Sequence, residues 1–285
     1  MQRSVHTAPT SNSPMKKPRV VKALGFTLIE LIAVIVILAI LSVLGGGFMI
    51  NTAESYHQSV NRSKLIQKGR QAIEQITRQL RISVPNSVAV SVNSLCIEWL
   101  PVVSGGNYLG ILPDQENGAA ATTTISTSPL SFDLGTPRYV TVGALAASEL
   151  YGAAPGSLTL YSAINTSAIP NVVSLTTAKQ WQRNSVNQRL FIADLPQQFC
   201  INSGSLTQHD NYTTVGSLPS ATVLTGNPPN VGVLLADGVN LGGETPFAVT
   251  SGTQTRNTIV RLEIPFAQGG ERIVLRHEVM VRNVP

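Results

Sequence analysis

The stretch Met15–Ile50, MKKPRVVKALGFTLIELIAVIVILAILSVLGGGFMI, decides how the chain is read. From Phe26 to Leu44 run 19 residues, of which only Thr27, Glu30 and Ser42 are polar. As a helix rising 1.5 Å per residue, this run is roughly 28 Å long, close to the hydrocarbon thickness of a bilayer. Lys16, Lys17, Arg19 and Lys22 precede it, and the first basic residue after it is Arg62, 18 positions beyond Leu44. The positive-inside bias therefore predicts a cytoplasmic leader and a carboxyl-terminal part sent across the membrane. Met15 also reads as an alternative start, with Gln2–Pro14 as an unstructured upstream extension.

Two simple readings compete for this segment. A secretory signal peptide would need a small-residue cleavage site after the apolar run, and Ser42–Gly47 could offer one. An uncleaved signal anchor needs none. Neither accounts for Glu30. A carboxylate inside an apolar helix costs about 2.5–3.5 kcal/mol on insertion scales, so it calls for a partner.

Gly25-Phe26-Thr27-Leu28-Ile29-Glu30, followed by the apolar helix, resembles the class III signal of type IV pilins and type II secretion pseudopilins. The resemblance implies cleavage by prepilin peptidase between Gly25 and Phe26 and N-methylation of the new Phe26 terminus. It also makes Glu30 the fifth residue of the processed chain and assigns it to assembly. The physical reason is direct. Cleavage creates an ammonium at Phe26 that becomes buried when helices bundle, and a buried charge is tolerable when paired. Glu30 can neutralise its own terminus or that of a neighbouring subunit, which would set their stagger.

Gly45-Gly46-Gly47 closes the apolar run, and three glycines inside a helix cost about 1 kcal/mol each relative to alanine. They read either as a segment that can unwind or as the end of a membrane helix. From Thr52 to Val84, Ile66, Gly69, Ile73, Ile76, Leu80 and Val84 fall on one face of an amphipathic helix. Ser83-Val84-Pro85-Asn86 ends it. The other face carries Arg62, Lys64, Lys68, Arg70, Arg78 and Arg81, with Glu54 and Glu74. The expected organisation is a cleaved leader over 1–25, an apolar assembly helix over 26–50, an amphipathic stem over 51–85 and a β-rich head over 86–285. The fold class is α+β, a long amino-terminal helix followed by a β-sheet-rich head.

The head's clearest signal is at its end. Val260, Leu262, Ile264 and Phe266 alternate with Arg261, Glu263 and Pro265, and Ile273, Leu275, His277, Val279 and Val281 alternate in turn after the break Gln268-Gly269-Gly270-Glu271. This predicts a β-hairpin with one face toward a core. Further strand-like runs are Val88–Val92, Cys96–Leu100, Leu158–Tyr161, Arg189–Ala193 and Val231–Leu235. Ala119–Ser131 and Asn202–Asn230 read as long polar loops, and an inserted subdomain could occupy residues around 102–185. Cys96 and Cys200 are the only cysteines, and an extracytoplasmic head favours a structural disulfide over two buried thiols.

Composition excludes other classes. The net charge of +5 comes from the five basic residues of positions 1–25, and removing them leaves fifteen basic against fifteen acidic residues. Such a chain has no basic stripe for a phosphate backbone, so no nucleic-acid partner is expected. The stem carries a net +4, whereas residues 86–285 hold nine basic and twelve acidic residues. That contrast suits electrostatic packing between subunits or simply a solvated helix face. The four histidines, His6, His57, His209 and His277, show no metal-ligand spacing, and none of the common catalytic motifs is present. His277 reads as a core residue on the inward face of the last strand. Asp114-Gln115-Glu116-Asn117-Gly118 reads as a solvent-exposed turn. No enzymatic activity, metal or cofactor is expected.

Finer resemblances lie beyond the signal. The stem Arg70–Arg81 looks like that of PilW- and GspJ-type minor pilins. Cys96–Pro101, Ala236–Val239 and His277–Pro285 resemble minor pilins of the mannose-sensitive haemagglutinin (MSHA) pilus. They imply a role in pilus assembly, priming and adhesion. The implied partners are other major and minor pilins, prepilin peptidase, the inner-membrane assembly platform and inner-membrane lipid. A type II secretion pseudopilin and a membrane-tethered carbohydrate-binding adhesin are the alternative readings.

Overall fold

The computed structural model describes residues 25–132, 134–210, 216–219, 232–253 and 256–282. Most of the leader, including Met15 and the basic residues Lys16, Lys17, Arg19 and Lys22, lies outside the described residues, as do His6, Val231 and the terminal Asn283-Val284-Pro285. One helix, α1, runs from Leu28 to Arg81 over 54 residues. Fourteen strands follow among the described residues: β1 (Ala89–Val90), β2 (Cys96–Trp99), β3 (Val102–Asn107), β4 (Thr122–Thr127), β5 (Tyr139–Val142), β6 (Leu158–Asn165), β7 (Asn171–Lys179), β8 (Arg189–Ala193), β9 (Gln197–Asn202), β10 (Ser205–His209), β11 (Val233–Asp237), β12 (Phe247–Thr250), β13 (Thr258–Gln268) and β14 (Glu271–Val281). The chain is thus α+β, with a long apolar amino-terminal helix ahead of antiparallel sheets.

By its contacts the chain forms two compact units, residues 1–55 and 56–285. In the first, every described residue is exposed. Its part of α1 is the only described helix long and apolar enough to cross a membrane. The helix continues through Gly45-Gly46-Gly47, so the triplet neither breaks it nor ends it. The physical reason is that glycine weakens a helix without removing its hydrogen-bond donors, and proline is absent here. Beyond the apolar run, Thr52 Oγ1 donates to the Phe48 carbonyl at 2.8 Å and Ser55 Oγ to that of Asn51 at 2.9 Å. These hydroxyls are satisfied within the helix itself.

In the second unit, α1 buries Leu65, Gly69, Ala72, Ile76, Thr77 and Leu80. The buried face is therefore centred on Leu65 and Ala72, whereas Ile66 and Ile73 lie at its margins. Leu65, Ile76 and Leu80 join Trp99, Phe199, Leu262, Ile264, Phe266 and Val279 in one core. The rings of Trp99 and Phe199 stack there at 4.6 Å. Gly69 is required by close approach, because a Cβ at this position would meet the Leu275 side chain and lie 2.8 Å from the buried Phe266 ring.

Two sheets share this core, β1-β2-β9-β10-β11 and β12-β13-β14. β13 and β14 pair over their full length, from Thr258–Val281 to Gln268–Glu271, around a Gly269-Gly270 turn in which both glycines have positive φ. Val260, Leu262, Ile264 and Phe266 are fully buried. His277 is a correction: it pairs with Leu262 but is exposed. Alternation still puts His277 on the strand face of Leu275 and Val279, but at an exposed point, where it lines a hollow beside Arg70, Glu74 and Arg81 of the stem.

The third sheet, β3-β8-β5-β6-β7-β4, is built wholly from the chain between β2 and β9, and it has its own core around Tyr108, Val140, Val173, Trp181, Leu190 and Ile192. Its β4 falls inside Ala119–Ser131, read from sequence as a loop. This Thr- and Ser-rich segment becomes a strand by pairing with β7. Likewise β10 occupies Ser205–His209 within the expected 202–230 loop, held by β9 and β11. A seam joins the modules where the Val84 amide donates to the Leu100 carbonyl at 2.8 Å and the Val102 amide to that of Ile82 at 3.0 Å.

Asp114 is a second correction. It is buried, not a solvated turn residue. Its carboxylate accepts from the amides of Asn117 at 2.7 Å, Glu116 at 3.1 Å and Asn184 at 3.0 Å, and from the Asn184 side chain. The Asn117 amide, foremost among these donors, holds the carboxyl below the ordinary aspartate range. Asp114 therefore closes its own turn and ties it to the loop before β8.

Candidate processing and assembly site

Gly25, Phe26 and Thr27 precede α1 without regular structure, and all three are exposed, Phe26 by 76%. A bond in this position is reachable by a protease active site without unwinding the helix. A Cβ on Gly25 would meet nothing within 4 Å. The chain's own packing thus makes no demand for glycine there, which leaves any such demand to an enzyme that reads the site.

The helix begins one residue after Thr27. The Glu30 amide donates to the Thr27 carbonyl at 3.1 Å and to Thr27 Oγ1 at 3.4 Å. Thr27 is therefore the cap, and Glu30 is the third helical residue. The Thr-x-x-Glu spacing is that of a capping box. The helix dipole favours a negative charge in this first turn. These two effects offset part of the cost of placing a carboxylate beside an apolar run, before any partner arrives. Thr27 was legible in the sequence through this spacing, although its role was not drawn from it. Glu30 and Phe26 are four residues apart and both exposed, so an amine created at Phe26 would lie about one helical turn from the carboxylate.

Far from this segment in sequence, Cys96 and Cys200 face each other in the β2–β9 register and are joined by a disulfide, with S–S 2.05 Å. His209 is buried with Nε2 2.8 Å from Thr207 Oγ1, whereas His57 and His277 are exposed. Among the described residues no group of three or more His, Cys, Asp or Glu side chains is arranged to hold a metal.

The family model for the prokaryotic N-terminal methylation motif matches residues 22–45. The match takes in Gly25, Phe26, Glu30 and the apolar run. No curated protein and no solved structure matches the chain. The amino-terminal segment is thus a class III signal of the type IV pilin-like kind. The motif implies processing by prepilin peptidase and association with other pilins, and it points to a structural family without catalytic function. The apolar helix and the motif together are compatible with a single-pass membrane anchor and with a pilus.

Proposed function

We propose that the chain is a non-catalytic minor pilin of an MSHA-type type IV pilus, similar to the biogenesis protein MshO. Prepilin peptidase cuts between Gly25 and Phe26, and Phe26 is then N-methylated. Residues 1–25 leave as the leader, 26–50 form the assembly helix, 51–85 the stem and 86–285 the head. Before assembly the head lies in the periplasm, with the helix in inner-membrane lipid near the assembly platform. After assembly the helix lies in the fibre and the head chooses neighbours, priming the fibre and serving adhesion.

One observation carries this reading. Glu30 sits in the first turn of α1 as the one charged residue of its apolar run, four residues beyond the Gly25–Phe26 bond, inside a matched methylation motif. A secretory signal or a plain anchor gives that carboxylate no task. Pairing with the Phe26 amine does, because each charge lowers the cost of burying the other.

Amino-terminal mass spectrometry of the chain from native membranes tests the processing step, with methyl-Phe26 as the expected terminus. Glu30→Gln and Glu30→Ala test the assembly step. Both variants should be cleaved normally and yet be absent from sheared fibres. An intact leader, or normal incorporation of both variants, would overturn the proposal.

A further inference from the structure

A cleft of about 600 Å³ opens at the seam where the end of α1 meets the six-stranded sheet. Pro85, Val102 and Phe191 supply apolar lining, and Arg81, Arg189 and Arg282 supply charge. No described residue lining it is acidic, and among the described residues none of the three arginines has an ion-pair partner. By contrast Arg183, Arg261, Arg272 and Arg276 are each paired with a glutamate. Arg189 and Phe191 also line a second hollow of about 300 Å³ over Gly105-Gly106-Asn107.

We infer that this cleft binds an acidic oligosaccharide of the uronate type. Three arginines, whose guanidinium groups present planar forks suited to carboxylates, line one hollow, two of them from a head otherwise richer in acids than bases. The apolar lining, Phe191 above all, gives the carbon–hydrogen face of a pyranose ring a surface to lie on. An inorganic anion would leave that lining and most of the volume unused. The hollow, at about 600 Å³, is of the size that small-molecule sites occupy and leaves room for more than one ring. An acidic peptide adding as a strand is disfavoured, because the Val102 amide already donates to Ile82 at 3.0 Å and Pro85 has no amide hydrogen. The site is independent of the assembly role of Glu30.

The test uses the full chain in a polyoxyethylene detergent, with trigalacturonate as probe and a neutral trisaccharide as control, read by saturation-transfer NMR and calorimetry. Trigalacturonate should bind, more weakly as salt rises, and the neutral sugar should not. Arg189→Ala and Arg282→Ala should each weaken binding by about tenfold with the melting temperature unchanged. Arg189→Lys, which keeps charge and loses the fork, should fall between. Equal binding of the neutral sugar, unchanged affinity in both alanine variants, or binding of a glutamate-rich peptide in place of trigalacturonate would each overturn the inference.

Discussion

Cys96 and Cys200 lie directly opposite each other on β2 and β9, 104 residues apart in sequence, and the chain between β2 and β9 forms the six-stranded sheet and its connections. The bridge therefore sits at the base of a module that leaves the head and returns to it through adjacent strands.

Loss of this bridge should be felt by the head. Closing so long a loop removes entropy from the unfolded chain, and bridges of this kind contribute roughly 2–4 kcal/mol. Cys96→Ser combined with Cys200→Ser should lower stability by about that amount in denaturant melts. Reduction of the native chain should have the same effect, and the double variant should be insensitive to reductant.

Glycines of α1 should divide by environment. Gly45, Gly46 and Gly47 have open space where a Cβ would go, so each alanine there should raise helicity by about 1 kcal/mol of propensity. Gly69 is packed on Phe266 and Leu275, so Gly69→Leu should destabilise the head by about 1–3 kcal/mol through overpacking. Denaturant melts check the second substitution and circular dichroism in micelles the first.

Asp114 should couple the β3–β8 module to acid. Its folded pKa lies below the ordinary value of 3.8, so its contribution is complete above that value and disappears as pH falls through the folded pKa. Asp114→Asn removes the second acceptor oxygen and places an amide beside the Asn184 donors. It should cost about 1–3 kcal/mol at neutral pH and flatten the acid limb of the stability profile.

Tyr139 should titrate late. Burial pushes its hydroxyl up to about 12, and the hydroxyl donates to the Ser217 carbonyl at 3.0 Å. Because the folded value is raised, the associated stability is complete below pH 10 and is lost as pH rises through about 12. Tyrosinate absorbance should show this step, and Tyr139→Phe should remove it. Tyr151 is buried, and burial raises its hydroxyl well above the ordinary tyrosine range, so it should ionise only on unfolding.

The sequence was most legible where periodicity and burial coincide. Val260, Leu262, Ile264 and Phe266 alternate in sequence and are fully buried in β13. The stem's apolar spacing points to Ile66 and Ile73, each one residue past the buried Leu65 and Ala72, because both sets fit a helical face equally well and only the sheet beneath decides between them. His277 was misplaced for the opposite reason: alternation fixes the face of a strand and is silent about whether another element covers it. β4 and β10 escaped because their Thr and Ser residues carry little hydrophobic signal and become strands only through partners. The β2–β9 pairing and the meeting of Arg81, Arg189 and Arg282 are set by chain topology, which no local window contains.

The sulfur–sulfur bond also reroutes force. When a subunit is pulled along its chain, covalent tension arriving at Cys96 passes straight to Cys200 and leaves the 103 intervening residues slack. The six-stranded module is thus a side branch off the load path, free to keep its shape, and to vary in composition, while the rest of the head bears the strain.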